Sequence, residues 1–193
     1  MALRNGKRRE AWRGCWSLIT CLALWCWITD VARAEDAELD RGKYLVTFGG
    51  CTDCHTPGHL LGRPDLTRFL GGSDVGFAIP GQGVFVGRNL TSDKETGLGS
   101  WTRDQIAIAI TSGRRPDGRI LAPVMPWRAY AQLTRADALA IAAYLQSLPP
   151  VKQDVPGPYG PSEKVSVFVM DVLPAGAHND LQASSNGQSA PAK

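Results

Sequence analysis

Two cysteines three positions apart, followed at once by a histidine, form the most reactive cluster in the chain: Cys51-Thr52-Asp53-Cys54-His55, with His59 four residues on. Three chemistries use such a set. A structural zinc ion takes four Cys or His ligands, commonly as two spaced pairs. A redox disulfide of the C-x-x-C kind sits where a strand turns into a helix within a βαβ pattern. Covalent attachment of a haem uses both thiols and takes the following histidine as an iron ligand.

The rest of the sequence discriminates among them. The other three cysteines, Cys15, Cys21 and Cys26, lie in an N-terminal stretch with the order of an export signal. Arg4, Lys7, Arg8, Arg9 and Arg13 precede an apolar run from Cys15 to Ile28, and a small-x-small site follows at Ala32-Arg33-Ala34. At 14 residues the run is shorter than the ~20 of a spanning helix, so cleavage after residue 34 is expected over a retained anchor. Only Cys51 and Cys54 then remain, and with His59 and His178 zinc is short of ligands. Upstream, "LDRGKYLVTF" reads as helix and not as the strand a redox motif needs. Haem c fits each feature: Cys51 and Cys54 as thioether attachment points and His55 as proximal ligand.

The distal position decides between a carrier and a catalyst. Histidine alone leaves iron open to small molecules, whereas histidine with methionine closes it and raises its potential. Past residue 34 the methionines are Met125 and Met170. Met125 stands in "LAPVMPW" between Pro123 and Pro126, a stiff loop suited to presenting a thioether, although methionine also serves to fill core gaps. Met170 lies in the apolar run "KVSVFVMDVL", where packing is expected. His59 is expected in a loop near the haem edge, and His178 lacks an apolar context. Met125 is therefore the expected second axial ligand. The competing function is a haem enzyme or small-ligand sensor with an open or displaceable sixth position.

The elements that must position these groups are legible in outline. Residues 36–48 read as a helix burying Leu39, Tyr44, Leu45 and Phe48, with Gly42 permitting close approach of another helix. Residues 56–100 are rich in Gly and Pro and read as a long loop with at most one hairpin, around "FAIPGQGVFVG". A second helix starts at a capping box, Thr102 with Gln105, and runs to Gly113. A third starts near Thr134 and carries an apolar stripe of Ala138, Ile141, Ala142, Leu145 and Leu148 up to Pro149-Pro150. The expected organisation is a signal peptide over 1–34, one haem domain over 35–150, a proline-rich extension over 151–174 packing on it, and a disordered tail over 175–193.

Charge narrows the partners. Residues 1–34 hold six of 21 Lys and Arg and two of 18 Asp and Glu, leaving 15 against 16 and a formal net charge of −1. The positive balance of the whole sequence thus belongs to the export segment. A nucleic-acid partner, which needs clustered basic residues, is excluded as an expectation.

With CTDCH after a helix, a loop methionine and an amphipathic helix behind it, the sequence resembles the class I cytochromes c. More closely, "NLTSDKETGLGSWT", "GRRPDGRILAPVMPWRAYAQLTRADALAIAAYLQSLPPV" and "VPGPYGPSEK" resemble the cytochrome c subunits of membrane-associated bacterial alcohol, aldehyde and gluconate dehydrogenases, over roughly residues 36–173. The resemblance implies a mainly α fold, a few helices and long loops around one covalent haem c, with Cys51 and Cys54 as attachment, His55 as proximal and Met125 as distal ligand. It implies a non-catalytic carrier of single electrons in the periplasm, fed by a substrate dehydrogenase and discharging to an oxidase or another cytochrome. Many of those subunits carry three such motifs, and this sequence carries one.

Overall fold

A computed structural model describes residues 33–177 and Leu181. Most of the expected signal segment (residues 1–32), His178 and most of the expected tail lie outside the described residues. Helix α1 covers residues 33–48 and stops at the Gly49-Gly50 turn. Leu45 packs against the core, Leu39 is half-buried and Gly42 meets another helix, as expected, but Tyr44 and Phe48 differ from the expected face. Val46 is 1% exposed and Gly42 is buried, while Tyr44 and Phe48 are 57% and 79% exposed and stack on each other with ring centroids 6.0 Å apart. The reason is steric. Gly42 lies so close to the Ala140 carbonyl and to Tyr144 that a Cβ there would collide with both. That crossing turns the 42–46 face inward and swings positions 44 and 48, two residues along a 3.6-residue turn, away from it.

Helix α2 is a single turn, Cys51–His55. Two 3₁₀ turns follow, His59–Leu61 and Leu66–Arg68, and then the hairpin β1 (Val75–Ile79) and β2 (Gly83–Val86), paired antiparallel with Phe77 opposite Phe85. Helix α3 (Arg103–Ser112) begins at a complete capping box: Thr102 Oγ1 accepts from the Gln105 amide while Gln105 Oε1 accepts from the Thr102 amide. A short helix α4 (Trp127–Tyr130), not foreseen as a separate element, precedes α5 (Arg135–Ser147), which Thr134 caps through the Asp137 amide. Among the described residues, no helix is long and apolar enough to cross a membrane.

The main core joins Val46 of α1, Leu70 and Leu98 of the loops, Ile106 of α3, and Ile141, Ala142 and Leu145 of α5. Ala138, Ile141, Ala142 and Leu145 of the expected stripe are buried, and Leu148 packs at the edge of the cluster. Alanines at most of the buried α5 positions let the neighbouring helices approach closely.

Residues beyond Pro150 wrap back over the hairpin. Val155 and Tyr159 are buried against Val84 and Val86, and Tyr159 bridges to Val84. Asn89 Nδ2 donates to the Val151 carbonyl at 2.6 Å, and Thr91 Oγ1 accepts from the Val151 amide at 3.1 Å. Strand β3 (Phe168–Met170) then joins β1 in parallel, giving the order β2-β1-β3. The fold therefore combines helices with a small sheet, and its third strand comes from the apolar run at 165–173. All three residues of β3 are exposed, so Met170 does not serve core packing as expected.

Candidate functional site

One helical turn places Cys51 and Cys54 on the same side of α2, because a separation of three residues nearly completes the turn. Both thiols are free. Burial pushes the Cys51 thiol up to about 11 and raises that of Cys54 as well, so both stay protonated at neutral pH.

His55 ends the same turn. Its Nδ1 lies 2.6 Å from the Arg88 carbonyl oxygen, which can only accept. Nδ1 therefore carries the proton, and the Nε2 lone pair is left for a ligand. Burial lowers the imidazole pKa, partly opposed by the bond to Arg88, which keeps the ring neutral and fit to coordinate. Gly87 makes this approach possible. A Cβ on it would strike the Cys54 carbonyl and come within 3.3 Å of His55 Nδ1. Neither Gly87 nor Arg88 was identified from sequence, since nothing local marks a residue whose task is to lie against a turn 33 positions earlier.

Cys51, Cys54 and His55 line a cavity of about 1250 Å³. Its wall also includes Leu45 and Phe48 of α1, Ile106, Ala109 and Ile110 of α3, and Ile141 and Leu145 of α5. Met125 lines the same cavity, with Leu121, Ala122 and Val124 beside it. The loop carrying Met125 is held at both ends. Leu121 donates its amide to the Gly113 carbonyl at 2.8 Å, and the Met125 amide donates to Ala122 at 3.0 Å. Past Met125, α4 brings Tyr130 back to the Gly49-Gly50 turn ahead of α2, where its hydroxyl donates to the Gly49 carbonyl at 2.6 Å. Burial, followed by the neighbouring Cys51 and Cys54 thiols, pushes the Tyr130 phenol up to about 12, so it remains a donor. Two short segments 81 residues apart are thereby tied together on the cavity rim.

The other expected residues fall elsewhere. His59 sits in a 3₁₀ turn with Nε2 3.1 Å from Asp53 Oδ1, and is not part of the cavity wall. Met170 lies on β3, paired with Phe77, and is not itself part of the cavity wall. Among the described residues no group of three His, Cys, Asp or Glu is placed to hold a metal ion.

The donor set fits haem c. Two unpaired thiols lie one turn apart, an imidazole with a fixed tautomer follows, and a thioether shares the cavity, which is walled by apolar side chains on four elements. A large, flat, apolar cofactor needs this shape and these few polar groups.

Comparison with known proteins reaches the same family. Residues 39–149 match the cytochrome c family. The cytochrome c subunit of the quinone alcohol dehydrogenase of Gluconobacter oxydans (strain 621H) is 31% identical over 132 residues, covering 67% of this chain and 26% of that protein. The cytochrome c subunit of the gluconate 2-dehydrogenase of Pantoea cypripedii is 34% identical over 132 residues, with 65% and 28% covered. The cytochrome subunit of the fructose dehydrogenase of Gluconobacter japonicus is 36% identical over 129 residues, with 66% and 24% covered. The matched part of the chain thus spans about a quarter of these relatives' length. Because the family match runs over more than half the sequence, from α1 through the end of α5, the chain belongs to the cytochrome c family, which implies covalently bound haem c.

Proposed function

We propose that this protein is a periplasmic monohaem carrier of single electrons, taking them from a substrate dehydrogenase and passing them to an oxidase or another cytochrome. The observation that carries this reading is the gathering of Cys51, Cys54, His55 and Met125 on one apolar cavity. Location in the periplasm is supported by the signal-like order of residues 1–34. A dehydrogenase donor is supported by the names of the relatives, which are cytochrome subunits of alcohol, gluconate and fructose dehydrogenases.

In this reading each side chain has a distinct task. Cys51 and Cys54 would hold the porphyrin covalently, each thiol adding its S–H across one vinyl double bond so that one C–S bond forms and the hydrogen ends on the adjacent carbon. His55, fixed by the Arg88 carbonyl, presents Nε2 as the proximal ligand, and that hydrogen bond raises its basicity. Met125 would hold the iron through its thioether sulfur, a ligand that favours the reduced state. When bound, haem iron supplies the one-electron couple, and the protein supplies ligation, burial and access. The apolar wall keeps water from the centre, which also favours the less charged, reduced form.

The test separates the carrier from an enzyme or sensor. Purified wild type is expected to retain haem after acidified-acetone extraction, to show the weak far-red thioether-to-ferric band, and to ignore carbon monoxide when reduced at neutral pH. Met125→Ala is expected to lose the band, bind carbon monoxide and have a lower potential, while Met170→Ala does none of these. Rapid carbon monoxide binding by the wild type would overturn the carrier reading.

A further inference from the structure

The segment that carries Met125 is seated twice on the same glycine. Its start is fixed where the Leu121 amide donates to the Gly113 carbonyl at 2.8 Å, beside the bridge between Arg114 and Ile120. Its end is fixed by Trp127, two residues beyond the methionine. Gly113 closes α3 in the left-handed region, at φ 72°, and its lack of a side chain brings the backbone up against the indole. A Cβ there would lie 2.8 Å from Trp127 Cδ2 and Cε2 and 2.9 Å from Nε1, closer than van der Waals contact. The Arg128 guanidinium also lies over the ring, 4.4 Å from its centroid.

Trp127 acts from behind the site. Unlike Met125 and Pro126, it is not part of the cavity wall. Its Nε1 is buried and finds no hydrogen-bond partner among the described residues. A buried indole N–H ordinarily has an acceptor, and burying it without one costs free energy. The ring is therefore held by packing and not by its donor. The link from tryptophan to methionine is short and stiff. Pro126 sits at φ −79° and ψ 46°, close to an inverse γ-turn, and across it the Trp127 amide donates to the Met125 carbonyl at 2.7 Å. A displacement of the indole from Gly113 is thus carried to Met125 through one fixed residue.

We propose that Trp127 is the positioning residue of the methionine loop: the packing of its ring on Gly113, with no bond from its N–H, sets how readily Met125 yields its place to an outside ligand. This inference rests on the reading of Met125 as the second axial ligand and adds what controls its displacement. The experiment is titration of oxidised, haem-loaded protein with imidazole, followed by loss of the far-red thioether band. It is run at a temperature where far-ultraviolet circular dichroism shows each variant folded. Imidazole binds the molecules whose loop has opened, so its apparent affinity rises in proportion to the open fraction. Trp127→Ala is expected to bind imidazole about tenfold more tightly than wild type. Trp127→Phe keeps an apolar ring and gives up a donor that had no acceptor, so it is expected to stay within about threefold of wild type. An Ala variant within about twofold of wild type would overturn the proposal. So would a Phe variant as open as the Ala one, since the N–H would then be what holds the loop. Should the Ala variant not accumulate with covalent haem, Trp127→Leu takes its place. About fivefold tighter binding is then expected, and a value within about twofold of wild type overturns the proposal. Wild type that carries covalent haem but shows no band would instead remove Met125 as a ligand, and the proposal with it.

Discussion

Single side chains in this protein do their work by fixing the direction of a neighbour. The Arg88 carbonyl chooses the His55 tautomer, and Tyr130 ties the methionine loop to Gly49. Asp65 does the same for the stretch after the attachment turn. Its carboxylate accepts from the Thr67 hydroxyl at 2.6 Å, the Arg68 Nε at 2.8 Å and the Thr67 amide at 3.0 Å. The Thr67 hydroxyl and then the Arg68 guanidinium hold its pKa down to about 2, from an ordinary 3.8. A carboxylate with a depressed folded pKa contributes stability that is whole above its unfolded value and is lost as pH falls through the folded one. Wild type is therefore expected to melt at a higher temperature than Asp65→Asn at about pH 6, and the gap is expected to close by about pH 2. Thermal melts at several pH values measure this, and a gap independent of pH would contradict it.

At the scale of elements, helix α1 is located by one atom that is missing. The absent Cβ of Gly42 lets α1 lie on the backbone of α5 at Ala140, and that contact decides which face carries Val46 into the core. Gly42→Ala is expected to force the helices apart and to cost about 1–3 kcal/mol, despite the higher helix propensity of alanine. Urea unfolding followed by far-ultraviolet circular dichroism would show a lower midpoint with an unchanged slope. An unchanged or higher midpoint would mean that α1 is not held at this crossing. Loss of Val46 packing would also loosen the partly buried Cys51 behind it, which belongs to the same cluster.

For the molecule as a whole, the segment after Pro150 is a structural partner of the site. It covers Val84 and Val86 with Val155 and Tyr159, and supplies the carbonyls that hold the Arg88 side chain. Arg88 in turn contacts His55 through its own carbonyl, so the extension reaches His55 in two steps. A chain ending at Pro150 is expected to lose about 3–6 kcal/mol from the two buried side chains alone. It is also expected to leave Asn89 without its Val151 acceptor. Differential scanning calorimetry against the full chain checks this, and an equal melting temperature would show that the extension is dispensable.

Much of the candidate site was legible because its chemistry is local. Cys51, Cys54 and His55 lie within one helical turn, so their order in sequence already fixes their order in space. Met125 was singled out by its two flanking prolines, and the starts of α3 and α5 were readable because a cap involves residues three apart. Contacts across the chain were a different matter. Hydrophobic pattern assigned Tyr44 and Phe48 to the core, and although Gly42 was readable as a close helix contact, only the packing against Ala140 and Tyr144 decided which residues beside it turned inward. The bond from His55 to Arg88, the glycine that admits it and the parallel pairing of β3 with β1 join distant positions. Periodicity and capping describe a residue's immediate neighbours along the chain. Which distant backbones come within a few ångströms is settled by how whole elements pack, and in this protein that packing decided the surroundings of the residues that the sequence had singled out.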